Sequence, residues 1–218
     1  MSFVPKLDVL PAPQRALWPE LSAVPPQFVL YGGTGLALRL GHRQSVDFDF
    51  FSTQSFDTGQ LRKDLPFLRD AQITTQQENL LNVVVNRGGD VKVQFIGGIS
   101  FGRIDEPEWT EDRVLRVASL LDIAAGKLAA IWNRTQPRDY VDVDALLRHG
   151  VNLPEALAAA RAIYGEQFNP MISLRALASF VDGDLPSLPA EVKRALATAA
   201  GRTSLEHLPV FQRRPGGL

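Results

Sequence analysis

At 218 residues the chain is long enough for one ordinary domain or two small ones around a buried core. Its 24 acidic and 23 basic side chains leave a formal net charge of −1, which excludes a protein that coats nucleic acid by bulk electrostatics. The absence of cysteine excludes disulfides and thiolate metal sites.

The opening MSFVPKLDVLPAP has neither a basic n-region with a following apolar stretch nor a cleavage pattern. No later apolar run reaches the ~20 residues of a membrane span, so a soluble, cytoplasmic protein without membrane contact is expected. QRALWPELSAV reads as an amphipathic helix, stopped by the prolines of VPPQ before a strand, FVLYG. TGLALRLG is a helix of about two turns, with Gly41 at its C-terminal cap. SVDFDFF, LLNVVVNR and DVKVQFIG are strands, the last two joined by a hairpin through GGD. DTGQLRKDLPFL forms a helix between them, AQITTQQ suits a further strand, and QRRPGGL a loose tail. From Ser119 onward the patterns are helical only: SLLDIAAGKLAAIWNR, PRDYVDVDALLRHG, LPEALAAARAIYG, SLRALASFV and PAEVKRALATAAG. The fold class is therefore α+β, a small mixed sheet with flanking helices over residues 1–112, followed by a helical domain over 113–218.

The chemistry concentrates in GGTGLALRLGHRQSVDFDFFS, residues 32–52. Strand alternation puts Asp47 and Asp49 on one face, and Val46, Phe48 and Phe50 on the other. Two adjacent carboxylates repel, and a divalent cation such as magnesium compensates them, since it favours one or two carboxylates plus substrate phosphates. A half-exposed strand with two outward aspartates is the bland alternative. Gly32 and Gly33 open a helix, where free amides and the helix dipole attract phosphate, and Thr34 adds a hydroxyl. The same glycines also suit a plain tight turn. Arg43 can fork onto triphosphate oxygens or cap the preceding helix. No Walker loop or dinucleotide fingerprint is present.

Further on, Lys127 lies in a helix that is apolar almost all round, so its amine requires a partner or a route to solvent. An anionic nucleotide phosphate meets that need, as does a surface position. Asp139 and Asp142 are three apart and share a helix face. For Asp139, compensation of the helix dipole or a structural pair with Arg138 is the plainer account.

These residues resemble a known family. The first stretch is similar to the leading motif of polymerase β-type nucleotidyltransferases, in particular the AbiEii/AbiGii abortive-infection toxins. LLDIAAGKLAAIWNRTQPRDYVDVDALL resembles that branch's second block. The resemblance implies Asp47 and Asp49 as metal ligands, with Mg2+ or Mn2+ as cofactor, and Asp47, Asp49, Lys127 and Asp142 as catalytic residues. It implies a nucleotide-binding set of Gly32, Gly33, Thr34, Arg43, Ser45 and Lys127, in a cleft between the two domains. Arg138 and Asp139 are further candidates. The implied reaction moves a nucleoside monophosphate from an NTP to an acceptor hydroxyl. The implied role is the toxin of a toxin–antitoxin pair, with RNA such as tRNA as acceptor and a cognate antitoxin as partner.

One position departs from the pattern. Polymerase β-type enzymes carry a third carboxylate on a neighbouring strand, where this chain has Gln94, sharing a face with Asp90 and Lys92. An amide can orient a hydroxyl but cannot serve as a general base. Two rivals stand beside the main reading: a non-catalytic nucleotide-binding or interaction module, which Gln94 favours, and a transferase of small molecules.

Overall fold

A computed structural model describes residues 2–214. In chain order its regular elements are β1 (Ser2–Phe3), α1 (Ala12–Leu17), β2 (Val29–Tyr31), α2 (Gly32–Leu40), β3 (Asp47–Phe51), α3 (Thr58–Asp64), β4 (Gln72–Gln77), β5 (Leu80–Asn86), β6 (Asp90–Ile96), β7 (Glu108–Thr110) and β8 (Arg116–Val117). Five helices follow: α4 (Leu120–Asn133), α5 (Pro137–Arg148), α6 (Leu153–Tyr164), α7 (Pro170–Ala178) and α8 (Ala190–Arg202). The fold is α+β, and its strands form one eight-stranded mixed sheet in the order β1-β7-β8-β2-β3-β6-β5-β4.

Two compact units divide the described chain. One comprises the residues up to Gly102 together with Glu106–Ser119; the other comprises Arg103–Asp105 and Leu120–Arg214. The short strand β8 pairs in parallel with β2, so the sheet runs past the expected boundary at residue 112.

In the first unit β3 lies between β2, antiparallel to it, and β6, parallel to it. Its alternation is sharp: Phe48 and Phe50 are fully buried while Asp47, Asp49 and Phe51 are half-buried on the other face. Phe50 stacks on Phe95 with ring centroids 5.0 Å apart, and Phe28 meets Phe95 edge-on. Buried aromatics of this size dominate the energy of a core. Val46 does not join them. It precedes the strand and is 54% exposed, because the chain between Gly41 and Asp47 is still irregular there.

α2 ends at Gly41, whose positive φ of 69° and N–H to the Ala37 carbonyl form a left-handed cap. β5 and β6 form the expected hairpin, pairing Asn86 with Asp90 around Arg87–Gly88–Gly89. The expected first helix is shorter than its pattern. Pro19 lacks an N–H, so α1 stops at Leu17 and a 3₁₀ turn carries Trp18–Ala23. Pro66 likewise ends α3 early and starts a 3₁₀ turn.

The second unit is helical. α4 packs on α5, α6 and α7, while α8 packs on α5 and α7. The alanines of α6 at 156, 158, 159 and 160 are buried, which lets α4 approach closely. Arg103–Asp105 joins this unit because the buried Asp122 carboxylate accepts the Ile104 N–H at 2.7 Å and the Asp105 N–H at 3.1 Å. Residues 215–218 of the expected tail lie outside the described residues. Among the described residues no helix is long and apolar enough to cross a membrane.

Candidate active site

The carboxylate strand and the glycine turn meet because β2 runs directly into α2. Tyr31, the last residue of β2, pairs with Asp49, and Gly32 follows it with φ +71°. That left-handed backbone brings the turn against the strand: a Cβ added at Gly32 would stand 2.7 Å from Asp49 Oδ2. A Cβ added at Gly33 would stand 2.8 Å from the Arg43 guanidinium and 2.9 Å from Ser45 Oγ. Gly32, Gly33, Arg43, Ser45 and Asp49 are thereby drawn together at the N-terminus of α2. Arg43 is steadied by a 2.8 Å hydrogen bond from its guanidinium to the Gln44 carbonyl.

Thr34 is fully buried, and its hydroxyl donates to the Asp47 carbonyl. It ties α2 to the start of the carboxylate strand and fixes where Asp47 stands. Asp47 Oδ1 is a buried acceptor with no hydrogen-bond partner among the described residues. A buried carboxylate oxygen left in that state favours a cation. Two carboxylates on one strand face, one with an unsatisfied oxygen, fit a hard divalent cation bound through oxygen. Among the described residues no group of three or more His, Cys, Asp or Glu is placed to hold a metal ion.

On the β6 side, Asp49 pairs in register with Gln94 and Asp47 with Lys92. Gln94 therefore shares the face of the carboxylates, opposite the buried Val91, Val93 and Phe95. Its amide nitrogen donates to Asn82 Oδ1 at 2.8 Å. Sequence reasoning missed Asn82, although the hairpin carries the signal: once Asn86 faces Asp90, Asn82 must face Gln94. Asp47, Asp49, Asn82, Lys92 and Gln94 line a cavity of ≈ 450 Å³.

Lys127, Asp139 and Asp142 belong to the second unit, where they meet in a buried ion network. Lys127 is only 7% exposed; it lies 2.9 Å from Asp139 Oδ1 and 2.6 Å from Asp142 Oδ2, and both aspartates are fully buried. The amine is not a surface group. Arg134 completes the network through 2.8 and 3.2 Å bonds to Asp139. Burial raises the Asp139 pKa, but Arg134 and Lys127 outweigh it and hold the carboxyl below its ordinary value. Arg138 is exposed and is not Asp139's partner; that place belongs to Arg134, which the sequence reading did not single out. Arg134 sits five residues before Asp139, across the short connection between α4 and α5.

Two solved structures share this fold. A crystal structure of a candidate nucleotidyltransferase from H. pylori superposes with a TM-score of 0.56 at 23% identity, covering 86% of this chain and 90% of that one. MenT4, a nucleotidyltransferase toxin from Mycobacterium tuberculosis, gives 0.61 at 15% identity, covering 88% of this chain and 83% of its own. An uncharacterized protein of Aquifex aeolicus is 32% identical over 131 residues, a match spanning 59% of this chain and 62% of that protein. The family model for the nucleotidyl transferase AbiEii toxin of type IV toxin–antitoxin systems matches residues 15–212, and the chain belongs to that family.

Proposed function

We propose that the protein is a metal-dependent nucleotidyltransferase, moving a nucleoside monophosphate from an NTP to an acceptor hydroxyl. We further propose that it acts in the cytoplasm as the toxin of a toxin–antitoxin pair, with RNA such as tRNA as the acceptor and a cognate antitoxin as partner. The observation that carries this reading is the convergence at β3 of two carboxylates, a glycine turn opening a helix, a guanidinium and a serine hydroxyl. Donors at a helix N-terminus suit phosphate oxygens, and the adjacent carboxylates suit the cation that accompanies a triphosphate.

Asp47 and Asp49 would hold Mg2+ or Mn2+, and the cation would supply positive charge to offset that of the triphosphate and of the departing pyrophosphate. Gly32 and Gly33 present amides to the phosphates, while Arg43 and Ser45 add side-chain donors. Thr34 serves by positioning, since its hydroxyl is bonded to the Asp47 carbonyl. The acceptor hydroxyl oxygen attacks the α-phosphorus and gives up its proton to the Asp49 carboxylate or to water, while the bond from the α-phosphorus to the bridging oxygen breaks and that oxygen leaves with pyrophosphate. Gln94 orients the attacking hydroxyl through its amide, and Asp49 is the carboxylate beside it in register. Lys127 has three donor protons; Asp139 and Asp142 take two, and we assign the third to a phosphate oxygen. Asp142 then acts by orienting that amine.

Gln94 in place of a third carboxylate favours the second reading, a non-catalytic module that binds nucleotide or a partner on the same fold. Incubating purified protein with each labelled NTP, magnesium or manganese, and total RNA separates the two. Transfer of label to RNA by the wild type is expected, with loss in Asp49→Asn and an unchanged melting temperature without metal. No transfer to any acceptor supports the non-catalytic reading, and transfer only to small alcohols would replace RNA as the substrate.

A further inference from the structure

The open face of the sheet continues beyond the carboxylates. Lys92 stands beside Asp47 and Gln94 beside Asp49; next across are Val84, paired with Lys92, and Asn82, paired with Gln94. Thr74 on β4 closes this end of the cavity, its hydroxyl bonded to the Asn82 carbonyl at 3.1 Å.

Two opposite charges on this face lack a protein partner among the described residues. Asp47 Oδ1 lacks a partner, and Lys92 is exposed and makes no hydrogen bond or ion pair among the described residues. A lysine and an aspartate on adjacent strands are close enough to neutralise each other, yet here each keeps its capacity for a ligand. One calls for a cation, the other for an anion. The two flanks of β3 also differ in kind. On the β2 flank lie Gly33, Arg43 and Ser45, assigned above to the triphosphate. On the β6 flank lie Lys92 and the Asn82–Gln94 amide couple, whose mutual bond leaves Gln94 Oε1 and Asn82 Nδ2 for another group.

We propose that the β6–β5–β4 side of the sheet is the acceptor subsite and that Lys92 binds a phosphate of the acceptor. The favoured acceptor is then the end of a phosphodiester strand, with its terminal nucleoside against the amide couple and Val84, rather than a neutral small alcohol. This inference rests on the nucleotidyl-transfer reading.

The test uses the full chain and two probes. One is a short oligoribonucleotide with a 5′ fluorophore and a free 3′ hydroxyl; the other is the same molecule with neutral methylphosphonates at its last linkages. Binding is read by anisotropy, without turnover. Wild type should prefer the phosphodiester by about tenfold, as for a hydrogen bond to a charged group. Lys92→Ala should lose that preference and Lys92→Arg should keep it. The slope of log affinity against log salt should fall by about one in Lys92→Ala. Equal preference in wild type and Lys92→Ala overturns the proposal, as does failure of the wild type to bind either probe. Calorimetry with each NTP distinguishes the other source of phosphate: weaker NTP binding in Lys92→Ala, with the oligonucleotide preference intact, assigns Lys92 to the nucleotide and also overturns the proposal. Absence of nucleotide transfer by the wild type would defeat the catalytic reading while leaving the binding comparison decisive on its own terms.

Discussion

Lys127 illustrates how burial changes what a side chain is for. An amine on an apolar helix has two ways out, a ligand or solvent, and this one has neither as its main partner, because Asp139 and Asp142 hold it inside the helical unit. Removing one member of a buried ion pair leaves its counter-charges uncompensated, which commonly costs about 3 to 5 kcal/mol. Lys127→Ala should therefore lower the melting temperature by several degrees as well as weaken NTP binding. Thermal melts of the apo protein check the first effect, and calorimetry well below the variant's transition checks the second. A loss of affinity without a loss of stability would mean that the network relaxes around the gap. Gly33 makes the opposite case. The atoms its Cβ would strike, the ends of Arg43 and Ser45, are flexible and able to move aside. Gly33→Ala should thus leave the melting temperature nearly unchanged and weaken NTP binding measurably, because the donors are displaced from the turn.

The pairing of α4 with α5 carries a pH dependence that follows from Asp139. Its carboxyl is held below the unfolded value of about 3.9, so its contribution is fully present above that pH and is lost as pH falls through the folded value. Melts between neutral and acidic pH should lose stability more steeply for the wild type than for Asp139→Asn, which starts lower and has no proton to take up at that site. Parallel curves would remove Asp139 from the acid transition. These elements differ in how openly the sequence announces them. The Asp/Phe alternation of β3 and the Gly41 stop of α2 are local signals with local causes. Asn82 facing Gln94 is also latent in the chain, through the hairpin register. β1, β7 and β8 have two or three residues each, too few for any periodicity, and exist because neighbouring strands offer them hydrogen bonds. The Arg134 contact depends on how the turn between α4 and α5 aims a side chain, which no spacing rule encodes. Val46 lies outside the core, against the alternation, because alternation says nothing about where a strand begins.

For the protein as a folded body, the metal proposal becomes a question of mass action. A cation that binds only the folded state stabilises it by an amount that grows with concentration over the dissociation constant. Gln94 lies in register with Asp49 on the open sheet face, so Gln94→Asp would set a third carboxylate beside the first two. Without metal, mutual repulsion raises the pKa values of such a cluster in the folded state. Carboxylates that are harder to ionise when folded destabilise the protein at neutral pH, and the penalty fades as pH falls and they take up protons. The substitution also removes the amide that donates to Asn82, so some loss should persist at every pH. Titrating magnesium or manganese separates these terms: the repulsive part should be recovered with metal and the lost hydrogen bond should not. Melting temperatures of wild type and Gln94→Asp across the titration should therefore converge, with the larger metal-induced gain in the variant. Equal gains would place Gln94 outside the cation's reach, and no gain in either protein would argue that the two strand carboxylates serve something other than a metal.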